Sequence, residues 1–493
     1  MNSRFKVLIL RLTPYACVNK HWNGFFESIT FKSLIILPKD IEFLATIVTP
    51  RRRCHLEHLW LRIPLSEYSI RHIVNGNQPD IYETLNWDFT KPIVALWDVI
   101  SYWNEPRQKG MTLELTAECK RHTDPTGYQH VAYQKYLSSG QLEQYDAIED
   151  VHETINKSHI AASESSFLAS AELRNIYWTA IVNTNLGTKP LQFIDEQMSP
   201  VDEEWELPPV TAVSKFLIRR QQFFGNCPTA LNTILSSLKG IEDIHIERWR
   251  YARSYTEKRW CRKAQNTLVR ELPRSTKSLS LYGETNPVIH QWESKNVNIV
   301  SFAKAVRQYT NFLEHLSISH MVDAREFFRP FSSPDEEATS SLREWPNLKT
   351  LSLTSDVFKT GTEQEINSLL CTAARAARKM PKLEMLELWN GEAGVACVFC
   401  YRFEDTVGKI TWCGTDVDTL AHEVINEWHA VSVCLNRTGV RAFVVPIEGE
   451  DVGSTGQVLE YLSSKDQIMH PVSAYTAIGK RKGKAEIERQ GSR

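Results

Sequence analysis

The chain has almost no net charge. Its 57 Lys and Arg are offset by 59 Asp and Glu, a balance of −2 over 493 residues, so the basic bias of a dedicated nucleic-acid binder is missing. No window approaches the roughly 18 uninterrupted apolar residues of a membrane span. The opening MNSRFKVLILRLTP holds only a short apolar run, Val7–Leu10, cut by Arg11 and then by Pro14. That run is too short for a signal peptide and lacks a small-residue cleavage site. The ten cysteines are scattered from Cys17 to Cys434 instead of forming a dense disulfide framework, which points to a reducing compartment, cytoplasmic or nuclear. There is no phosphate-cradling Gly loop, His-Glu-x-x-His helix or Gly-x-Ser-x-Gly elbow, and the 15 histidines are dispersed. The expectation is a non-enzyme with no catalytic residue, no metal and no cofactor.

What is present is an ordinary globular composition, 42% hydrophobic and 24% charged, with 14 Trp, 16 Tyr and 20 Phe. The length exceeds what one hydrophobic core usually serves, so several domains or a repeat architecture are expected. A pattern of apolar-x-x-apolar-x-apolar recurs as Ile241/Ile244/Ile246, Thr276/Leu279/Leu281, Leu313/Leu316/Ile318, Leu348/Leu351/Leu353 and Leu383/Leu386/Leu388, at intervals of 35, 37, 35 and 35 residues. A further copy, Leu56/Leu59/Leu61, lies near the N-terminus, and Leu113/Leu115 carry part of another.

On a strand the last two apolar positions share one face and the residues around them share the other. Between strands there is room for a helix: Thr362-x-x-Glu365 has the form of a capping box, and Ile366, Leu369, Leu370, Ala373 and Ala377 follow at helical spacing up to Met380-Pro381. Each unit therefore reads as helix, Pro turn, short strand. Neither element can bury itself alone, but stacked units can. The predicted fold is α/β: an irregular leucine-rich-repeat-like solenoid of long helix–strand units, preceded by a short helical remnant. By register, His245, Tyr282, His315, Ser317, Ser352, Glu387 and Trp389 would line an open concave face suited to a peptide or to a loop of the protein itself. Ser352, between Leu351 and Leu353, would face outward.

The chain divides into a segment 1–38, first strands and a helix over 39–128, a polar insertion 129–205, the repeats 206–391, a C-terminal cap with a β-hairpin 392–478, and a charged tail 479–493. Residues 91–103 read as a buried aromatic helix. ACVFCYRF (396–403) and GKITWC (408–413) read as the capping hairpin, with Trp412 and Trp428 over its last face. Cys397-x-x-Cys400 lacks the second ligand pair of a tetrahedral metal site and reads as structural. The basic run ERWRYARSYTEKRWCRK (247–263) reads as a solvated helix face with its aromatics packed inward.

Residues 12–37 contain Tyr15, Val18, Trp22 and Phe25–Phe26, then Phe31, Leu34 and Ile36. This resembles the second half of an F-box, a Val-x-x-x-Trp helix followed by a short apolar strand. With the strand repeats and the aromatic cap, the chain resembles an uncharacterised fungal family of F-box-like leucine-repeat proteins. MNSRFKVLILR stands where an F-box has its opening Leu-Pro helix, so the motif reads as truncated or degenerate. The resemblance implies a substrate-recruiting adaptor of a cullin-type ubiquitin ligase. Val18, Trp22 and Phe26 would dock on the Skp subunit, and the repeats would hold a protein partner. The alternative is an interaction scaffold with no ubiquitin link. Neither reading involves a membrane or nucleic acid.

Overall fold

A computed structural model describes residues 20–66, 78–104, 110–119, 190–194, 205–220, 222, 225–251, 253–285, 290, 300–333, 344–404, 406–415, 417 and 419–478. Tyr15, Val18, the polar stretch 129–170 and the tail from Gly479 lie outside the described residues. The protein is a mixed α/β structure, and its described residues fall into two compact units, the first ending at Ile244 and the second beginning at His245.

In the first unit, strands β1 (Ser33–Ile36), β2 (His58–Leu65), β3 (Met111–Cys119) and β4 (Val213–Ile218) lie side by side in chain order. All three pairings are parallel. The N-terminal copies of the apolar pattern stack: Leu34 pairs with Leu59 and Leu59 with Leu113, while Ile36 pairs with Leu61 and Leu61 with Leu115. Helix α1 spans Lys20–Thr30 and α2 spans Ile41–Ile47. The long helix α3 covers Gln78–Ile100. It starts well before the aromatic run predicted from residue 91, because Pro92 lies inside the helix instead of opening it; its ring removes one backbone bond, which the flanking turns sustain. Trp97 is buried and donates from Nε1 to Ser237 Oγ at 2.8 Å at the end of α4 (Pro228–Ser237). Glu114, buried in β3, is held between Arg219 Nε at 2.6 Å and His58 Nε2 at 3.0 Å, as a buried carboxylate requires.

The second unit carries β5 (Asp243–Trp249, in this unit from His245), β6 (Ser278–Glu284), β7 (His315–Asp323), β8 (Thr350–Thr354), β9 (Met385–Glu392), β10 (Val395–Glu404), β11 (Val407–Gly414) and β12 (Val440–Pro446), again in chain order. From β6 to β9 the pairings are parallel and in register with the repeat. Leu279, Leu316, Leu351 and Leu386 stand in one cross-strand row, and Leu281, Ile318, Leu353 and Leu388 in the next. All eight are buried. Helices α5 (Ser254–Ala264), α6 (Val300–Tyr309), α7 (Ala324–Phe328) and α8 (Glu363–Ala377) fill the intervals. The capping box is formed as predicted: Thr362 Oγ1 accepts from the Glu365 amide, and the Glu365 carboxylate accepts from the Thr362 amide at 2.8 Å.

The hairpin of β10 and β11 is antiparallel, and so is the pairing of β9 with β10. It does not end the sheet as expected, because β12 follows in parallel on β11, brought round by α9 (His422–Cys434). Trp428 packs beneath the hairpin, stacked on Tyr401 at 4.6 Å between ring centroids and 5.2 Å from Phe399. The run 247–263 is a second correction. Its first residues finish β5, and Arg248 and Arg250 are buried on Glu257 instead of solvated. Arg248 binds both carboxylate oxygens at 2.8 Å and lies 3.8 Å above the Trp260 ring. Burial opposes the charge on Glu257, but the two guanidinium groups and the Tyr251 amide outweigh it and bring its pKa to about 2.

Candidate functional site

On the face of β6–β9 opposite the leucine rows, the register aligns Ser280, Ser317, Ser352 and Glu387 across neighbouring strands. This is the face predicted to be an open trough. In the structure it is covered: Tyr282, Ser317, Ser352, Glu387 and Trp389 are all buried. Ser352 therefore does not face solvent. Its cover is the protein's own C-terminal segment, in which Val452, Val458, Leu459, Leu462, Ile468, Met469 and Ala474 pack into one apolar cluster with Tyr282, Trp389, Ala396 and Val398.

Two buried carboxylates hold this segment. Glu387 accepts from the amide of Ser463 at 2.8 Å, from the amide of Ser464 at 2.9 Å, and from the Ser464 hydroxyl. These donors stand at the start of the short helix Lys465–Ile468, where unpaired amides favour an anion. Glu247 of β5 does the same one turn later. It accepts from the His470 amide at 2.5 Å, just ahead of helix α10 (Pro471–Ile478), and pairs with His245 Nε2 at 2.9 Å. Burial works against ionisation of Glu247, but the hydrogen bond from His245 and the charges of His245 and His470 hold its pKa below the ordinary value. Between the two carboxylates, Ser280 donates to the Gln467 carbonyl at 2.6 Å and Thr350 to Gln467 Oε1 at 2.9 Å. The His315 ring meets Thr350 Oγ1 at 2.8 Å.

The approach is close enough to need a glycine. A Cβ on Gly391 would stand 2.5 Å from Val458 Cγ2 and 2.6 Å from the Val395 carbonyl. Only the missing side chain lets the turn Thr455–Val458 settle there, where Thr455 donates to the Gly391 carbonyl at 2.9 Å.

The carboxyl ends of the strands gather a further set of polar groups. His320 breaks the β7 register with φ of 59°, a conformation that costs strain in a non-glycine residue. Its amide donates to Thr354 Oγ1 at 2.7 Å and its carbonyl accepts from Arg250 at 3.0 Å. The ring lies edge-on between Tyr282, at 5.5 Å, and Trp389, at 5.1 Å. Burial first, and then Lys359, lower its pKa to about 4, so it is neutral near pH 7. Beside it Asp323 caps α7 and ties β7 to β8, accepting from Arg325 N, Ser355 Oγ and Asp356 N at 2.8–2.9 Å. Burial raises the Asp323 pKa despite these donors.

Cys397, Cys400 and Cys413 are buried. Burial, and then Glu387, push Cys400 well above the usual thiol range, which leaves it an unreactive core residue. Among the described residues no group of three or more His, Cys, Asp and Glu is arranged to hold a metal ion, and no helix is long and apolar enough to cross a membrane.

The N-terminal positions behave differently. Val18 lies outside the described residues. On α1, Trp22 is 45% exposed, Phe25 57% and Ile29 47%, while Phe26 is half-buried. Phe26 packs against both Trp22, at 5.7 Å, and Phe25, at 5.4 Å. The helix is anchored from its other side by Glu27, which binds Arg52 Nε at 2.8 Å.

Sequence reasoning thus found the sheet side of this face and named a loop of the protein itself as one possible occupant, but not the residues that supply it. Ser463, Ser464, Gln467 and His470 carried one local signal: Pro471 after His470 marks the start of a helix, whose amides need an acceptor.

A model of a family of unknown function (DUF6546) matches residues 271–470. The match begins before β6 and ends at His470, so it takes in the repeated strands, Glu387 and most of the covering segment. No curated protein and no solved structure matches the chain.

Proposed function

We propose that this protein is a non-catalytic adaptor, an F-box-like substrate-recruiting component of a cullin-type ubiquitin ligase, built on an irregular leucine-rich-repeat-like solenoid. The observation that carries this reading is the exposed apolar stripe of α1. Trp22, Phe25 and Ile29 follow at intervals of three and four, so they lie along one helix face. A folded domain normally buries such a face, and three large apolar side chains that each keep 45% or more of their surface exposed mark an interaction surface. The stripe falls in the stretch whose residues resemble the second half of an F-box, and its partner on this reading is the Skp subunit. The in-register rows of β6–β9 support the solenoid.

Because the C-terminal segment occupies the serine-lined face, we place the recruited partner elsewhere on the repeats, or on that face after displacement of the segment. The test is co-purification of the full chain with a Skp subunit, alongside a known F-box protein. Retention of the wild type and loss with Trp22→Asp or Phe25→Asp, at unchanged melting temperature, supports the proposal. No retention of the wild type, with the control bound, rejects it in favour of a scaffold without a ubiquitin link.

A further inference from the structure

Strand β12 differs from every other strand of the second unit, since it ends the strand order and is largely open to solvent. Phe443 is 46% exposed and Val445 43%, and Arg441, Ala442 and Pro446 are exposed as well. Gly408 donates to the Gly439 carbonyl, and Ile447 donates to the Gly414 carbonyl, both at 2.8 Å. Together with the parallel register of β11 on β12, these bonds assign the peptide groups of odd-numbered residues to β11. Those of Val440, Ala442 and Val444 therefore point outward. An apolar edge whose outward ladder positions meet no partner among the described residues is a template for another strand, and proteins usually blunt such an edge with charge or proline. Here the only charge on the strand is Arg441, and Pro446 stands at its very end.

We propose that β12 is a self-association edge, on which β12 of a second copy pairs antiparallel about a two-fold axis. Charge favours a copy of this chain as the occupant. Lys409 and Arg441 make the start of the strand basic, and Glu448, Glu450 and Asp451 make the region after its end acidic. Antiparallel pairing sets each basic end beside the acidic end of the other copy, and a two-fold contact closes on itself without propagating. Centring the axis on Phe443 pairs Ala442 with Val444 through the outward peptide groups. It brings the two Phe443 rings together and sets Arg441 against Val445, leaning toward Glu448 of the second copy.

Sedimentation of the full chain over a concentration series tests this. The wild type is expected to change from 56.7 kDa to twice that mass as concentration rises. Phe443→Lys and Phe443→Glu should each remain at the single-chain mass with an unchanged melting temperature, because the side chain is exposed. An equimolar mixture of the two should recover the doubled mass, because the substituted residues face one another. Ala442→Pro, which removes an outward N–H and none toward β11, should also remain single. A wild type of single-chain mass at every concentration, a doubled mass that survives Phe443→Lys, or a mixture that stays single overturns the proposal.

Discussion

Leu279, Leu316, Leu351 and Leu386 stand side by side on one face of β6–β9, and Ser280, Ser317, Ser352 and Glu387 stand side by side on the other. Both rows are buried apart from their differing chemistry. The leucine row is buried by helices that belong to the repeating units, so each strand supplies its own cover. The serine row is buried by a segment that begins 60 residues beyond the last repeat strand, from Glu392 to Val452, and is tied down by hydrogen bonds to Glu387 and Glu247. The first face is held by apolar area, which is tolerant of detail. The second combines an apolar cluster with a few polar contacts whose loss leaves buried groups without partners. Small hydroxyl side chains in the middle of the row let the segment lie close to the backbone.

That contrast can be broken from either side. Leu351→Ala should have the largest effect, about 2–5 kcal/mol of stability lost in denaturant unfolding, because it opens a cavity between helices and sheet. Glu387→Ala should cost less globally, about 1–3 kcal/mol, since it strands the Ser463 and Ser464 amides. Its distinguishing sign is local: amide exchange should accelerate over residues 455–478 while the leucine rows stay protected. Equal exchange on both faces would mean that the segment and the repeats unfold as one unit.

Acid separates the faces further. The folded pKa of His320, about 4, lies below its ordinary 6.5, so the unfolded chain takes up a proton first. Stability should be full above pH 6.5 and decline as pH falls toward 4. Glu247 adds to this at lower pH, because its pKa is also depressed and its contribution disappears as it is protonated. His320→Asn, which tolerates the positive φ, should flatten the upper part of the slope in thermal melts across pH 4–7; an unchanged slope would assign it to other groups. The smallest effect is expected from Ser352→Ala. The Ser352 hydroxyl meets no hydrogen-bond partner among the described residues, so the change should fall within about 0.5 kcal/mol. Ser352→Asp, by contrast, should destabilise strongly, because an unpaired carboxylate would be forced beneath the segment.

Much of the strand architecture was legible because its signal is local and repeated. Leu348, Leu351 and Leu353 follow the same spacing as Leu383, Leu386 and Leu388, and a strand with two-residue alternation converts that spacing directly into stacked rows. The capping box at Thr362 and Glu365 was legible for the same reason, since all of its atoms lie within one turn. The site was half legible. Alternation identifies Ser317, Ser352 and Glu387 as sharing a face, but a buried serine and an exposed one look alike in sequence, and nothing local pairs Glu387 with Ser464 across 77 residues. The buried Arg248 was misleading for a related reason: a charged run reads as solvated until its carboxylate, Glu257, is seen folded back onto it.

The sequence by itself determined the periodic strands, their apolar face and the helices that close it, because these depend on residue spacing within 35-residue units. It also supplied the near-zero net charge and the apolar residues of α1. Only the tertiary structure decided what covers the opposite face and leaves β12 bare. The cover depends on where a distant stretch of chain comes to rest, held there by an apolar cluster and by buried carboxylates that meet helix amides, pairings with no period and no fixed separation along the chain.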